Sequence, residues 1–188
     1  MRLLLIGAPG AGKGTQGERL ATRLGVRHIA TGDLLRAEVK EGTPLGKSVA
    51  DYLDRGQLVP DQLILDLVMP KLLAASRDGG YILDGFPRSV AQAVEARELA
   101  DHADAAAEHV VFLQAPREAL VQRLLARAVA EGRSDDTQDV IVNRLRIFED
   151  ATSPLVDYYR GRNMLHVIDA DQPADDVMAA ILAAICTV

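Results

Sequence analysis

Cysteine is nearly absent from this chain of 188 residues, which contains Cys186 alone. A single thiol cannot form a disulfide within the chain, and it excludes a zinc site built from several cysteine ligands. We therefore expect no structural zinc, and the scarcity of cysteine favours a reducing, cytoplasmic compartment. Because Cys186 follows the apolar stretch 177–185, we expect its thiol to be packed in the core.

Long apolar runs and excess positive charge are also lacking. No run approaches the roughly 20 apolar residues that a membrane span needs, so we expect no membrane association. The net charge of −6 argues against broad binding to nucleic acids. It does not argue against a small polyanion, because local clusters of charge dominate at contact distance. The expected partner is therefore a small molecule.

Glycine is concentrated in one motif near the start of the chain, Gly7-Ala8-Pro9-Gly10-Ala11-Gly12-Lys13-Gly14-Thr15. The apolar run before it indicates a buried strand, and the spacing of Leu20, Ala21 and Leu24 after it indicates a helix. Strand, glycine-rich turn and helix in this order form a phosphate cradle, in which backbone N–H groups, the helix N-terminus and Lys13 attract an anion. Gly14 stands where the common motif has a hydroxyl residue, and Thr15 supplies that hydroxyl one place later.

Apolar runs alternate with helical patterns along the rest of the chain. The runs predicted as strands are 2–6, 26–29, 80–83, 109–113 and 164–168. The patterns predicted as helices are 12–24, 33–40, 44–55, 61–75, 89–100, 116–129, 139–160 and 175–185. Such alternation predicts an α/β fold with a parallel sheet between two layers of helices, and a ligand site beyond the carboxyl ends of the strands. Pro70 is expected to kink or end the helix that contains it.

Two segments interrupt this alternation. Residues 30–59 contain two short helical patterns between the second and third strands, and residues 126–136 include a polar, glycine-containing stretch. Each segment is either a hinged cover over the site or an ordinary surface connection.

Two further motifs carry groups suited to phosphate. The third strand ends in Asp84-Gly85-Phe86-Pro87-Arg88, which places a carboxylate at the sheet edge that carries the glycine loop. A carboxylate beside bound phosphates implies an Mg²⁺ ion that both share. Arg88 can bind a phosphate through two parallel hydrogen bonds from its guanidinium. After the second strand, Asp33 is placed to cap a helix that presents Arg36 in its first turn.

Four arginines lie within or beside the second interrupting segment. Arg123 and Arg127 are four residues apart on one face of a helix, Arg133 lies in the polar stretch, and Arg144 lies on the next helix. Each one alone is typical of a solvated surface. Their common position favours an anion site.

In order and spacing these motifs resemble the adenylate kinase family over essentially the whole chain. The resemblance implies the P-loop nucleoside monophosphate kinase fold, with a five-stranded parallel sheet flanked by helices. It divides the chain into a core (1–29, 60–125 and 137–188), an AMP-binding insert (30–59) and a short lid (126–136) that carries no zinc. It also implies a monomer that uses Mg²⁺ and converts ATP and AMP reversibly into two ADP.

The resemblance assigns roles to individual residues. It implies an ATP site formed by Gly10, Ala11, Gly12, Lys13, Gly14, Thr15, Arg123, Arg127 and Gln172. It implies an AMP site formed by Thr31, Gly32, Arg36, Gln57, Leu58, Val59, Gly85, Phe86, Pro87, Arg88, Gln92, Arg133 and Arg144. The catalytic cations would be Lys13, Arg88, Arg127, Arg133 and Arg144, and Asp33 and Asp84 would hold Mg²⁺ through water. In this chain Ala170-Asp171 replaces the glycine-containing turn that usually precedes the position of Gln172.

Two other functions fit part of this pattern. A pyrimidine monophosphate kinase would share the fold, although its relatives tend to carry Ala and Asn where this chain has Thr31 and Gln92. A non-catalytic nucleotide switch would need the phosphate loop but no second phosphate site. The four histidines (28, 102, 109 and 166) form no catalytic triad or metal-binding spacing, so we interpret them as structural.

Overall fold

The protein is a five-stranded parallel sheet between two layers of helices, described by a computed structural model for residues 1–131 and 137–186. The strands are β1 (Arg2–Gly7), β2 (Arg27–Ala30), β3 (Tyr81–Asp84), β4 (His109–Gln114) and β5 (Leu165–Asp169). In this part of the chain the α-helices are α1 (Lys13–Leu24), α2 (Thr31–Glu41), α3 (Pro44–Asp54), α4 (Asp61–Arg77), α5 (Val90–Asp101), α6 (Arg117–Glu131), α7 (Gln138–Ile147), α8 (Pro154–Arg160) and α9 (Ala174–Cys186). No helix among these residues is both long and apolar enough to cross a bilayer.

The order of the strands brings the sequence motifs to one edge of the sheet. The order is β2-β3-β1-β4-β5, with every neighbouring pair parallel. The register pairs Asp84 at the end of β3 with Leu5 of β1 and with Ala30 of β2. The carboxyl ends of parallel strands meet at one edge, so Asp84, the loop after β1 and the start of α2 come together there. The predicted fold class is confirmed.

The sheet is buried on both faces, which explains why β1 reads as a continuous apolar run. Leu4 and Ile6 of β1 pack in one core with α4, α5 and α8. Leu3 and Leu5 point to the opposite core, which includes residues of α1, α6, α7 and α9. Both cores close around β1, which therefore anchors the glycine loop rigidly.

Residues 30–59 form the predicted pair of short helices, α2 and α3. Thr43 caps α3 by accepting a hydrogen bond from the backbone N–H of Gly46 at 2.9 Å. The two helices cross closely at Gly46, where a Cβ atom would lie only 2.0 Å from the carbonyl oxygen of Glu38. The hairpin is thus held by a cap and by direct backbone contact.

The predicted continuous helix over 139–160 is wrong. α7 ends at Ile147, one turn of π-helix follows at Phe148–Thr152, and α8 begins at Pro154. Pro154 lacks the N–H that a continuous helix requires, and the N–H of Ser153 reaches back five residues to the carbonyl of Phe148 at 2.8 Å. The wider turn changes the direction in which the following side chains leave the helix.

The structure differs from the sequence prediction at two single residues in other helices. Of the two effects expected of Pro70, a kink or the end of the helix, the second does not occur, because α4 continues to Arg77. Pro70 and Asp66, whose carbonyl loses its helical donor, both lie on the exposed side, where water can replace the bond. Cys186 is exposed instead of packed, because the buried face of α9 includes Ile181 and Ile185 and the next residue falls outside it.

Two of the histidines form a pair on neighbouring strands. Nδ1 of His109 on β4 lies 3.1 Å from Nε2 of His166 on β5. Both residues lie near the amino ends of their strands, at the sheet edge opposite the glycine loop. Burial and the positive charge of His109 lower the pKa of His166 below its ordinary value.

This histidine pair predicts a loss of stability in mild acid. His166 has a lower pKa in the folded chain than in the unfolded chain, where it is about 6.5. The unfolded chain therefore takes up the proton first as the pH falls, and this contribution destabilises the fold below about pH 6.5. In urea titrations between about pH 7 and pH 5, the free energy of unfolding should fall more steeply for the wild type than for His166→Asn. The exposed His102→Asn variant serves as the control, and equal slopes for wild type and His166→Asn would contradict the prediction.

The close crossing at Gly46 predicts a strong effect of a single methyl group. In Gly46→Ala the new Cβ would collide with the backbone of α2, so the hairpin must open, at a cost of about 1–3 kcal/mol. Hydrogen exchange should accelerate in α2 and α3 and remain slow in β1. Ser48→Ala on the exposed side of α3 is the matched control, and unchanged protection of α2 in Gly46→Ala would refute the prediction.

Candidate active site

The glycine loop joins β1 directly to the N-terminus of α1. Gly10 and Gly12 adopt left-handed backbone angles, with φ of 86° and 90°. A Cβ on Gly10 would lie 2.8 Å from the carbonyl oxygen of Leu120, so the loop also packs against the backbone of α6. No described side chain caps α1, which leaves its first N–H groups to bind an anion.

Lys13 is held at the base of this loop. Its Nζ donates hydrogen bonds to the carbonyls of Gly7 at 2.9 Å and Ala8 at 3.1 Å. Burial lowers the pKa of Lys13, as do the nearby positive charges of Arg88, Arg127 and Arg144, while Asp84 opposes the shift. A bound anion would relieve this crowding of positive charge.

The loop opens into a large cavity at the carboxyl edge of the sheet, with a volume of about 1110 Å³. This lies just above the range of about 300–1,000 Å³ that is usual for ligand pockets, so the cavity is large for a single small ligand. Its described lining includes three carboxylates, Glu18, Asp33 and Asp84, and seven basic side chains. The basic side chains are Lys13, Arg19, Arg36, Arg88, Arg123, Arg127 and Arg144. In a chain of net charge −6, this surplus marks the cavity as a site for anions.

α2 brings Asp33 and Arg36 to the cavity, but Asp33 is not the N-cap that the sequence predicted. The helix begins at Thr31, and Ala30, in an extended conformation, occupies the cap position. Strand β2 passes directly into the helix, so Asp33 lies in its first turn, where a carboxylate is still favoured by the helix dipole. Its Oδ1 accepts a hydrogen bond from Nη2 of Arg36 at 2.5 Å.

Arg88 is fixed by hydrogen bonds at three points. Its Nε donates to the carbonyl of Gly85 at 2.8 Å, and its backbone N–H donates to Oε1 of Gln92 at 2.7 Å. Oγ1 of Thr152 donates to the Arg88 carbonyl at 2.8 Å. Burial and the charges of Arg144 and Arg36 lower the pKa of Arg88, against the effect of Asp84. The guanidinium is thus preorganised in a region that favours an anionic partner.

Sequence reasoning missed Thr152, which reaches Arg88 from the π-helical turn. Its side chain is 7% exposed and lies in a segment predicted to be plain α-helix. The one available signal was Thr152-Ser153-Pro154, since Pro154 disfavours a continuous helix. π-Helical turns often accompany functional sites, and this one supports a cation of the cavity.

The arginines of α6 and α7 approach the cavity from the other side. Nη1 of Arg123 donates to the carbonyl of Ala170 at 2.9 Å, and its Nη2 lies 3.2 Å from Oδ1 of Asp171. Arg127 and Arg144 line the cavity. Arg133 lies outside the described residues.

α7 also contacts the segment that follows α3. Nδ2 of Asn143 donates to the carbonyl of Arg55 at 2.7 Å. A Cβ on Gly56 would lie 2.8 Å from Cγ of Arg144. Residues 30–59 therefore rest against the helix that carries Arg144.

Most of the residues that the resemblance assigned to the site line this one cavity. Those that do are Gly10, Gly12, Lys13, Gly14, Thr15, Gly32, Asp33, Arg36, Gln57, Leu58, Asp84, Gly85, Pro87, Arg88, Arg123, Arg127 and Arg144. Five others are buried and are not among the lining residues: Ala11, Thr31, Val59, Phe86 and Gln92. Oγ1 of Thr31 is buried without a hydrogen-bond partner among the described residues. Gln172 is exposed outside the lining, and its amide donates to the carbonyl of Asp169 at 3.1 Å.

The carboxylates in the cavity suit a magnesium ion that is shared with a ligand. Oδ2 of Asp84 lies 3.9 Å from the position that a Cβ of Gly14 would take, so the carboxylate faces the glycine loop. Asp33 lines the same cavity. The described residues contain no group of three or more histidine, cysteine or acidic side chains that could hold a metal alone. Mg²⁺ fits this donor set, because it is usually bound by one or two carboxylates, water and phosphate oxygens.

Comparison with known proteins agrees with this geometry. The sequence model of a family described as adenylate kinase matches residues 5–164. An adenylate kinase of Cyanothece sp. is 47% identical over 180 residues, covering 96% of this chain and 92% of its own. Adenylate kinase 1 of Nostoc sp. is 49% identical over 176 residues and covers 94% of each chain. The adenylate kinase of Stenotrophomonas maltophilia is 44% identical over 185 residues, covering 98% of this chain and 99% of its own. The chain therefore belongs to the adenylate kinase family and is a phosphotransferase of the nucleoside monophosphate kinase type.

Proposed function

We propose that the cavity holds two nucleotides at once and transfers a phosphoryl group between them, converting ATP and AMP reversibly into two ADP. The observation that carries this proposal is the presence of two cationic centres in one cavity. One is the glycine loop with Lys13, and the other contains Arg36 and Arg88. A site for a single nucleotide would not need the second centre.

The donor half of the site is the glycine loop together with the arginines of α6. Backbone N–H groups between Gly10 and Thr15 would hold the ATP phosphates, with Lys13 following the transferred group. Arg127 would clamp the phosphates, and Arg123 would lie against the adenine. Gln172 would lie beside that adenine once the turn after β5 moves it into the cavity.

The acceptor half lies between α2, the segment 57–59 and the segment 85–92. Arg36 and Arg88 would bind the AMP phosphate, with Arg133 and Arg144 bridging the two nucleotides. The remaining AMP contacts would come from Thr31, Gly32, Gln57, Leu58, Val59, Gly85, Phe86, Pro87 and Gln92. The buried hydroxyl of Thr31, which has no hydrogen-bond partner among the described residues, supports this assignment, because such a group favours a polar ligand.

Catalysis in this site requires alignment and charge neutralisation. An AMP phosphate oxygen is already ionised at neutral pH, so the reaction needs no general base. The barrier arises mainly from bringing two polyanions together. Hydrogen bonds hold Lys13 and Arg88 in place before the substrates arrive, and preorganised cations lower such a barrier without reorganising.

A magnesium ion would be held by Asp33 and Asp84 through water. When bound, Mg²⁺ supplies positive charge to the phosphate oxygens that face the glycine loop. Gly14 has no hydroxyl to offer as a ligand, which supports water-mediated contacts from the two carboxylates.

The two interrupting segments would act as covers that exclude water, the competing phosphoryl acceptor. Residues 30–59 would close over AMP and 126–136 over ATP, while 1–29, 60–125 and 137–188 form the core. The hydrogen bond from Asn143 to Arg55 supports this division, because it gives the AMP cover a contact point on α7.

The comparisons do not favour a pyrimidine monophosphate kinase or a non-catalytic switch. Thr31 and Gln92 also argue for AMP as the acceptor. We further propose a monomer that works in the cytoplasm.

The reaction itself is the first test. Purified protein supplied with ADP and Mg²⁺ should produce ATP and AMP in equal amounts. In the forward direction with ATP, AMP should be a better acceptor than CMP or UMP in kcat/KM. Hydrolysis of ATP without transfer to AMP would refute the proposal, and a preference for CMP or UMP would point to the pyrimidine alternative.

A second test removes one cation. Arg88→Ala should lower kcat by about 100-fold or more, because one preorganised charge is lost from the transition state. Circular dichroism and thermal unfolding should show that the variant is folded. Arg23→Ala, on the exposed side of α1, is the matched control. Near-normal turnover of Arg88→Ala would remove Arg88 from the site.

A further inference from the structure

Gln92 is a buried side chain whose hydrogen bonds reach the exposed residue Asp61, outside the residues assigned to the site. Its side chain is 2% exposed. Oε1 accepts from the backbone N–H of Arg88 at 2.7 Å, and Nε2 donates to Oδ1 of Asp61 at 2.6 Å. Asp61 is the first residue of α4, and neither sequence pattern nor resemblance gave it a role.

The two partners fix the orientation of the Gln92 amide. The N–H of Arg88 can only donate, whereas a carboxylate such as Asp61 only accepts. Turning the amide by 180° would set N–H against N–H and carbonyl oxygen against carboxylate. Both contacts would become repulsive, and the buried Gln92 amide would lose its partners, which is costly for a polar group.

The fixed amide retains one hydrogen that these contacts do not use. Nε2 carries two hydrogens, and among the residues in 1–131 and 137–186 its one acceptor is Asp61. The second N–H of Nε2 therefore remains available as a hydrogen-bond donor. A ligand that contacts Nε2 of Gln92 must offer a hydrogen-bond acceptor there.

Purine bases differ in the group that they offer at ring position 1. Adenine has an unprotonated N1, which accepts a hydrogen bond, whereas hypoxanthine and guanine carry N1–H, which donates. A site built to donate to one of these edges rejects the other strongly, because a buried donor would then face a donor.

We propose that Asp61 is a positioning residue that sets base selectivity through Gln92. By holding Nε2 in place, it makes the site select a nucleoside monophosphate whose base presents a ring-nitrogen acceptor over one that presents N–H. This inference rests on the proposed function, since it assumes that the base of the acceptor nucleotide meets Gln92.

The test compares AMP with IMP, which replaces the acceptor N1 of adenine by N1–H. In Asp61→Ala the amide of Gln92 loses one of its two anchors, so the ratio of kcat/KM for AMP to that for IMP should fall about tenfold. The loss should appear in the KM for AMP, while the KM for ATP stays within about twofold of wild type. Asp61→Asn keeps a carbonyl oxygen that can accept from Nε2, so it should lower the ratio less than Asp61→Ala does.

The matched control lies on the same helix. Oδ1 of Asp66 accepts from Nε2 of Gln62 at 2.7 Å, which is the same pair of groups, but here the glutamine is exposed instead of buried. Asp66→Ala should leave the AMP to IMP ratio unchanged.

A double-mutant cycle separates positioning from general damage. In a Gln92→Leu background, Asp61→Ala should have no further effect on the AMP to IMP ratio, because the group that Asp61 orients is gone. An unchanged ratio in both Asp61 variants, or an equal fall in the Gln92→Leu background, would overturn the inference. If the wild type transfers no phosphoryl group to AMP, the proposed function fails, which is a different result.

Discussion

Mutual repulsion among positive charges is the constraint on which the site depends. Lys13, Arg88 and Arg144 form a cluster of positive charge in a chain that is acidic as a whole. Burial lowers the pKa values of Lys13 and Arg88, and the neighbouring positive charges lower them further. Such a cluster costs free energy in the free protein, and the surrounding fold must hold it in place. The carbonyls around Lys13 and the three hydrogen bonds at Arg88 do so. Bound anions would offset part of this unfavourable free energy, because they attract the positive charges.

The parallel sheet holds this cluster of charges in place. β1 is buried on both faces and ends in the glycine loop, while β3 beside it ends in Asp84. Because the strands are locked in register, the loop and the carboxylate cannot drift apart without breaking both cores. Arg88 follows β3 directly, and the arginines of α2, α6 and α7 approach from helices that flank the sheet.

The parts of the fold that local physics determines were predictable from the sequence. The continuous apolar runs gave the strands to within about a residue at each end, because both faces of a parallel sheet are buried. The glycine loop was equally clear, since few other structures need that pattern. These features depend on residues that are neighbours in the chain.

Features that depend on distant contacts were not predictable. The π-helical turn was missed because its support includes the bond from Thr152 to Arg88, 64 positions away. The prediction that Asp33 caps α2 failed for a related reason. Pairing of β2 with β3 extends to Ala30, so α2 begins directly after it, at Thr31. The link from Asp61 to Gln92 likewise spans 31 positions.

The contact between Gly56 and Arg144 has an evolutionary consequence. A Cβ at position 56 would come within 2.8 Å of the aliphatic part of this arginine. A larger residue there would push Arg144 away from its place in the cavity. The absence of a side chain at position 56 therefore determines how far the guanidinium of Arg144 extends into the cavity. Positions 56 and 144 should therefore covary among related sequences, and any lineage that gains a side chain at 56 should show a compensating change on α7.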